Sequence, residues 1–361
     1  MAMSGLRPAA RLPMLALGMV SLLLGVLAGL SRLGWPLPPV AAAAAGFHGA
    51  LMISAFFGTV ISLERAVALG RTWAYAAPAA AGLSGVALIS GAPPILAQAL
   101  SIAAAAGLAA ASLQVLQRQA AVFTAVLGIG AVCWLVGDIA WWVSDSLFAA
   151  LPWWLAFLVL TIAGERLELT RFLPTPPLAR YLFVAIVAWL LASAATGFWL
   201  QEIGLRVFAV GLLALAAWLA RYDIARHNAH QRGLTRFIAL CLLSGYGWLA
   251  LAGLLGAQGA LSPDHPLRDA ALHAFGLGFV FSMVFGHAPI IFPAVARVRI
   301  PYHPAFYLPL LALHLSLGLR VAGSLDGLFA WRRIGGLANA LALLLFIATM
   351  IASGVRGRAK K

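Results

Sequence analysis

Charge is what this sequence has least of. Asp, Glu, Lys and Arg together make up 9% of its 361 residues, where a soluble domain carries roughly a quarter. With 63% apolar residues, such a chain cannot dissolve as a globule, and lipid must be its solvent. Cysteine is nearly absent. Cys133 and Cys241 lie far apart inside apolar runs and no Cys-x-x-Cys occurs, which leaves a zinc ribbon, an iron–sulfur cluster and covalent c-type haem without support. Long polar stretches are missing as well, so no soluble domain fits between the apolar runs. The formal charge of +14 would point a soluble protein toward nucleic acid. Here the arginines sit between apolar runs, and no basic, aromatic-interleaved stretch lies outside them, so no nucleic-acid partner is expected.

What is present is a succession of apolar runs long enough to cross a bilayer. They fall at 12–31, 40–62, 73–91, 93–114, 120–143, 147–163, 179–200, 203–221, 236–257, 268–293, 304–322 and 333–354. The expected fold is all-α: a polytopic helical bundle of about twelve transmembrane helices forming a single domain over 1–361. Arg7 and Arg11 before the first run would suit a signal peptide, but the spans continue along the chain and favour a first helix instead. Of the 24 basic residues, eighteen, Lys360 and Lys361 included, fall in connections on the side of the N-terminus. The other side holds Arg32, Arg206, Arg268, Arg320, Arg332 and Arg333. The positive-inside rule then makes both termini cytoplasmic, in a bacterial inner membrane. Trp35, Trp141, Trp142, Trp153, Trp154 and Trp199 gather where an outer aromatic belt belongs.

Polar groups inside hydrocarbon are costly and mark function. His48 stands some eight residues into the second run and His273 about five into the tenth, both counted from the outer end. At about 1.5 Å per residue the two imidazoles share a depth in the outer third of the bilayer. Two histidines on different helices at one depth suit the two faces of a haem iron. Gly46, Gly49, Gly276 and Gly278 beside them offer the clearance that a flat macrocycle needs. Arg320, Arg332 and Arg333 crowd the connection between the last two runs, against the orientation rule, where arginines could neutralise haem propionates. Each feature also has a plain alternative: a histidine bonded to a carbonyl, and a solvated charged loop.

The run His48-Gly-Ala-Leu-Met-Ile-Ser-Ala-Phe-Phe-Gly resembles the second helix of the haem-copper oxidase catalytic subunit, which supplies an axial ligand of the low-spin haem. The run from His273 to Phe292-Pro293 resembles that family's tenth helix, and Trp331-Arg332-Arg333 its propionate-binding arginine pair. The resemblance implies haem b, bound without covalent attachment, with His48 and His273 as axial ligands and Arg332, Arg333 and Arg320 around the propionates. It also implies a member without the binuclear centre. The sixth and seventh runs hold no histidine for copper, and Ala271 falls where the high-spin ligand would be. Copper is therefore unsupported, and the chain is not expected to be a complete terminal oxidase. A closer likeness to the NnrS-like branch is limited by Phe47-His48-Gly49, which departs from that branch's His-x-His-Glu. A haem ligated by two histidines offers no open position, so electron transfer or a nitric-oxide or redox-related role is expected, with a redox protein or quinone as partner.

Two further histidines, His287 and His314, are candidates for a second metal or haem nearer the cytoplasm. Asp138 is an acid inside the fifth run, at a cost of roughly 2.5–3.5 kcal/mol if ionised at a helix centre. It would pair with an arginine, accept from an indole or belong to a proton path. Two competing functions share the topology: a twelve-helix secondary transporter, and a factor that handles haem or copper during assembly of a respiratory enzyme.

Overall fold

In the computed structural model, which describes residues 5–171 and 173–359, twelve helices are long and apolar enough to cross a membrane. They are α1 (Pro8–Arg32), α2 (Ala45–Leu69), α3 (Thr72–Ile89), α4 (Pro94–Arg118), α5 (Val122–Ser144), α6 (Leu147–Thr170), α7 (Pro177–Thr196), α8 (Gln201–Tyr222), α9 (Gly233–Ala260), α10 (Arg268–Ala296), α11 (Pro304–Leu325) and α12 (Phe329–Gly357). No strand occurs among the described residues. Lys360 and Lys361, part of the basic tail, lie outside them. Proline opens α1, α4 and α7, where the missing N–H costs nothing. Gly70, at φ 66°, ends α2 in the left-handed conformation that glycine adopts without strain.

One boundary differs from expectation in a way that matters. The second run, expected at 40–62, starts later, because Pro39–Ala43 forms a separate short helix and α2 begins at Ala45. His48 is therefore the fourth residue of its helix, not one eight residues inside it. His273 is the sixth residue of α10.

The chain packs as two compact units. One holds the residues up to Gly164 together with Ala294–Arg297, and the other holds Glu165–Pro293 and the residues from Val298 on. In the first unit, glycines let α1 lie close to α2. Gly18 faces Thr59, Gly25 faces Met52 and Gly29 faces the His48 ring, the small-residue packing expected where lipid supplies no hydrophobic drive between helices. In the second unit, Gly245 of α9 faces Met283 of α10 and Gly286 faces Cys241. Ser316 and Asn339 join α11 to α12 by a 2.7 Å hydrogen bond. Leu308, Leu311 and Leu315 are 57–67% exposed along α11, an apolar stripe for lipid tails.

Wide π turns interrupt two of the helices directly after a candidate ligand. Leu51–Phe57 is π-helical just beyond His48–Ala50, and Ala274–Phe281 just beyond His273. Such bulges recur at functional sites because the extra residue per turn re-aims side chains.

Candidate functional site

His48 lies against α1. Its Nδ1 is 2.7 Å from the Gly25 carbonyl oxygen, and a methyl added at Gly29 would come within 2.8 Å of the ring. The imidazole thus packs against a glycine, with Nδ1 facing the Gly25 carbonyl. A ring that donates from Nδ1 carries its lone pair on Nε2, the arrangement that carbonyl partners impose on metal-ligating histidines. Around Gly46 and Gly49 no atom lies within 4 Å of an added Cβ, so the clearance foreseen there exists.

His273 in the second unit is prepared in the same way. Its Nδ1 lies 2.8 Å from the Asp269 carbonyl oxygen and 3.4 Å from that residue's Oδ1. Asp269 in turn receives two hydrogen bonds from Arg320, from Nε at 2.8 Å and NH2 at 2.7 Å, a bidentate fork. Arg332 adds positive potential at the same carboxylate. Its guanidinium carbon sits 5.0 Å over the Phe329 ring, and its buried Nε has no hydrogen-bond partner. Arg333 follows it, half-buried. The structure therefore gathers His273, Arg320 and Arg332 around Asp269, which is not among the expected site residues. Asp269 was findable as a carboxylate one helical turn before a histidine. Its presence changes one assignment: Arg320, expected at a propionate, is committed to Asp269. Beside Gly276 an added Cβ would again meet no atom within 4 Å, but the space at Gly278 is filled by the Trp248 side chain, so the clearance expected there is absent.

The second-metal expectation fares differently. His287 Nδ1 bonds the Met283 carbonyl at 2.6 Å, and its Nε2 accepts from the Arg166 guanidinium at 2.8 Å. His314 accepts from Trp248 Nε1 at Nδ1 (3.0 Å) and bonds Ser244 Oγ through Nε2 (2.9 Å). All four ring nitrogens have protein partners, and a guanidinium cation occupies the place where a metal would stand on His287. Both residues are accounted for as hydrogen-bonded helix contacts. Among the described residues no three His, Cys, Asp or Glu side chains converge to hold a metal ion.

The Arg166 side chain also faces Asp223, in the connection after α8. Asp223 is 1% exposed, accepts from Tyr246 Oη at 2.6 Å and from the Ala225 N–H at 2.8 Å. Burial raises its pKa above the ordinary carboxylate value, opposed by Arg166 and by the two hydrogen bonds.

Asp138, fully buried in α5, accepts from two uncharged neighbours. Trp154 Nε1 donates to Oδ1 at 3.0 Å, and Ser54 Oγ lies 3.2 Å from Oδ1 and 3.4 Å from Oδ2. Trp141, Trp153 and Trp154, expected in the outer belt, are buried at 1%, 9% and 1% exposure, whereas Trp142 and Trp199 are 52% and 80% exposed. Trp154 is core because it donates to Asp138, and Trp141 because it packs edge-on against Trp154.

Fold and composition together define a multi-pass, all-helical membrane protein with lipid-facing surfaces. The chain belongs to the family described as Domain of unknown function (DUF8744), which it matches over residues 11–355. No curated protein matches the chain.

Proposed function

We propose that this chain binds haem b through histidine Nε2 atoms, His48 in the first unit and His273 in the second, and works in electron transfer or a nitric-oxide or redox-related role. The observation that supports it is shared by both histidines. Each has Nδ1 within 2.8 Å of a backbone carbonyl of a neighbouring turn or helix, which directs the lone pair to Nε2. Arg332, with a buried donor unused, would meet a propionate, with Arg333 beside it. Arg320 would act one step back, holding Asp269 and through it the His273 ring. When bound, haem would supply one-electron chemistry. The same reading puts the protein in the inner membrane with both termini cytoplasmic, exchanging electrons with a redox protein or quinone.

The test is the reduced-minus-oxidised visible spectrum of purified protein, with a pyridine haemochrome to count haem. A sharp low-spin b-type band is expected, and it needs two strong axial ligands. His48→Ala and His273→Ala, measured separately, should each abolish it. A colourless protein from cells making haem normally would overturn the proposal. One observation favours the second reading, a secondary transporter: the chain divides near its midpoint into two compact units, as transporters built from two halves do. That reading gains first place if the protein is colourless.

A further inference from the structure

Asp138 sits in a site that haem binding does not use. Its carboxyl is fully buried, and its hydrogen-bond partners are an indole and a hydroxyl, with no ion pair to a basic side chain among the described residues. Three helices build the surroundings. The π turn of α2 presents Ser54. Gly58 makes room for the Trp134 ring, and Gly137 for Trp154, since a methyl on either glycine would strike the indole. Trp134 Nε1 donates to Ser54 Oγ at 3.0 Å and stacks on Phe157 with ring centroids 5.1 Å apart. Trp141 meets Trp154 edge-on at 5.8 Å.

Donor counting says which ion this site accepts. Trp134 already donates to the Ser54 oxygen, so the hydroxyl directs its one proton toward Asp138. Oδ1 receives the Trp154 indole and the closer Ser54 contact, and Oδ2 has only the 3.4 Å approach of Ser54. A metal cation needs several oxygen ligands, yet here N–H groups point at the very oxygens it would require. The proton needs only one free position on one oxygen. A carboxylate in hydrocarbon must be neutralised somehow, and among the described residues no guanidinium or ammonium does it.

We propose that Asp138 is a proton-binding site inside the first unit, taking and releasing a proton at Oδ2. The step breaks or forms one O–H bond, the proton exchanging with solvent, and Ser54 is the first hydroxyl it meets. The proposal is independent of haem binding.

Infrared difference spectroscopy between acidic and alkaline pH, on protein in lipid, tests it. The wild type should show a carboxylic-acid C=O band that Asp138→Asn lacks. Ser54→Ala and Trp154→Phe keep the carboxyl and should shift that band, which covers the case in which Asp138→Asn does not fold. Superimposable spectra of wild type and Asp138→Asn, or a band unmoved by both partner variants, would overturn the proposal. So would a band that follows sodium concentration at fixed pH, which would put a metal cation there instead.

Discussion

Asp223 shows how one buried carboxyl sets a pH dependence. It lies outside the membrane-spanning helices, walled in with Tyr246, the Ala225 N–H and the Arg166 guanidinium as its polar surroundings. Desolvation is the largest influence and raises its pKa in the folded chain. A native state that holds its proton more firmly than the unfolded chain is favoured at low pH. The contribution is complete below the ordinary aspartate range and disappears as pH rises through the higher folded value. Detergent-solubilised protein should therefore lose thermal stability over that rise, and Asp223→Asn should lose less. Melting curves of the two proteins across mildly acidic to neutral pH measure the difference. Parallel curves would mean that Arg166 and Tyr246 fully compensate the burial. Asp269 illustrates the opposite design, since Arg320 meets it with two hydrogen bonds and leaves little uncompensated.

At the scale of helices, small residues decide which surfaces meet. Gly335 of α12 lies against the backbone of Arg320 in α11: an added Cβ would stand 2.7 Å from its nitrogen and 2.8 Å from its Cα. Backbone cannot swing aside as a side-chain end can, so the two helices would have to separate. Gly335→Ala should cost about 1–3 kcal/mol, the usual range for overpacking, and should loosen the Arg320–Asp269 fork. Gly318 of α11 is the control on the same helix pair, because nothing lies within 4 Å of its would-be Cβ. Gly318→Ala should be neutral or up to about 1 kcal/mol more stable. Thermal melts of the two variants against wild type decide it, and equal effects would sink the idea that backbone approach sets this contact. The helices themselves were legible, since apolar length marks a span wherever lipid is the solvent. The start of α2 was not, because the alanines of 40–45 are apolar whether they belong to the span or to the short helix before it. Nor were the π turns after His48 and His273, which depend on hydrogen bonds that residue type alone does not specify.

Over the whole molecule, sequence gave up isolated polar residues more readily than their partners. His48, His273 and Asp138 stood out because each is costly in an apolar run, and Arg332 because it falls in a connection against the orientation rule. Asp269 and Ser54 are ordinary residues whose roles come from what the fold brings near them. The same holds for the tryptophans: Trp141 and Trp142 look alike in sequence, and only packing makes the first core and the second surface. Orientation is the remaining property of the whole, and charge asymmetry predicts it. Gln231, exposed in the connection between α8 and α9, lies among Arg226, Arg232 and Arg236 on the side expected to be cytoplasmic. Asp326, exposed between α11 and α12, belongs to the opposite side. Both native cysteines are buried at 1% or less, so single-cysteine reporters at these two positions give a clean background. A membrane-impermeant maleimide should label Asp326→Cys in intact spheroplasts, and Gln231→Cys only after permeabilisation. The reverse pattern would place both termini outside, and the basic connections would then need a partner other than the cytoplasmic lipid surface to explain them.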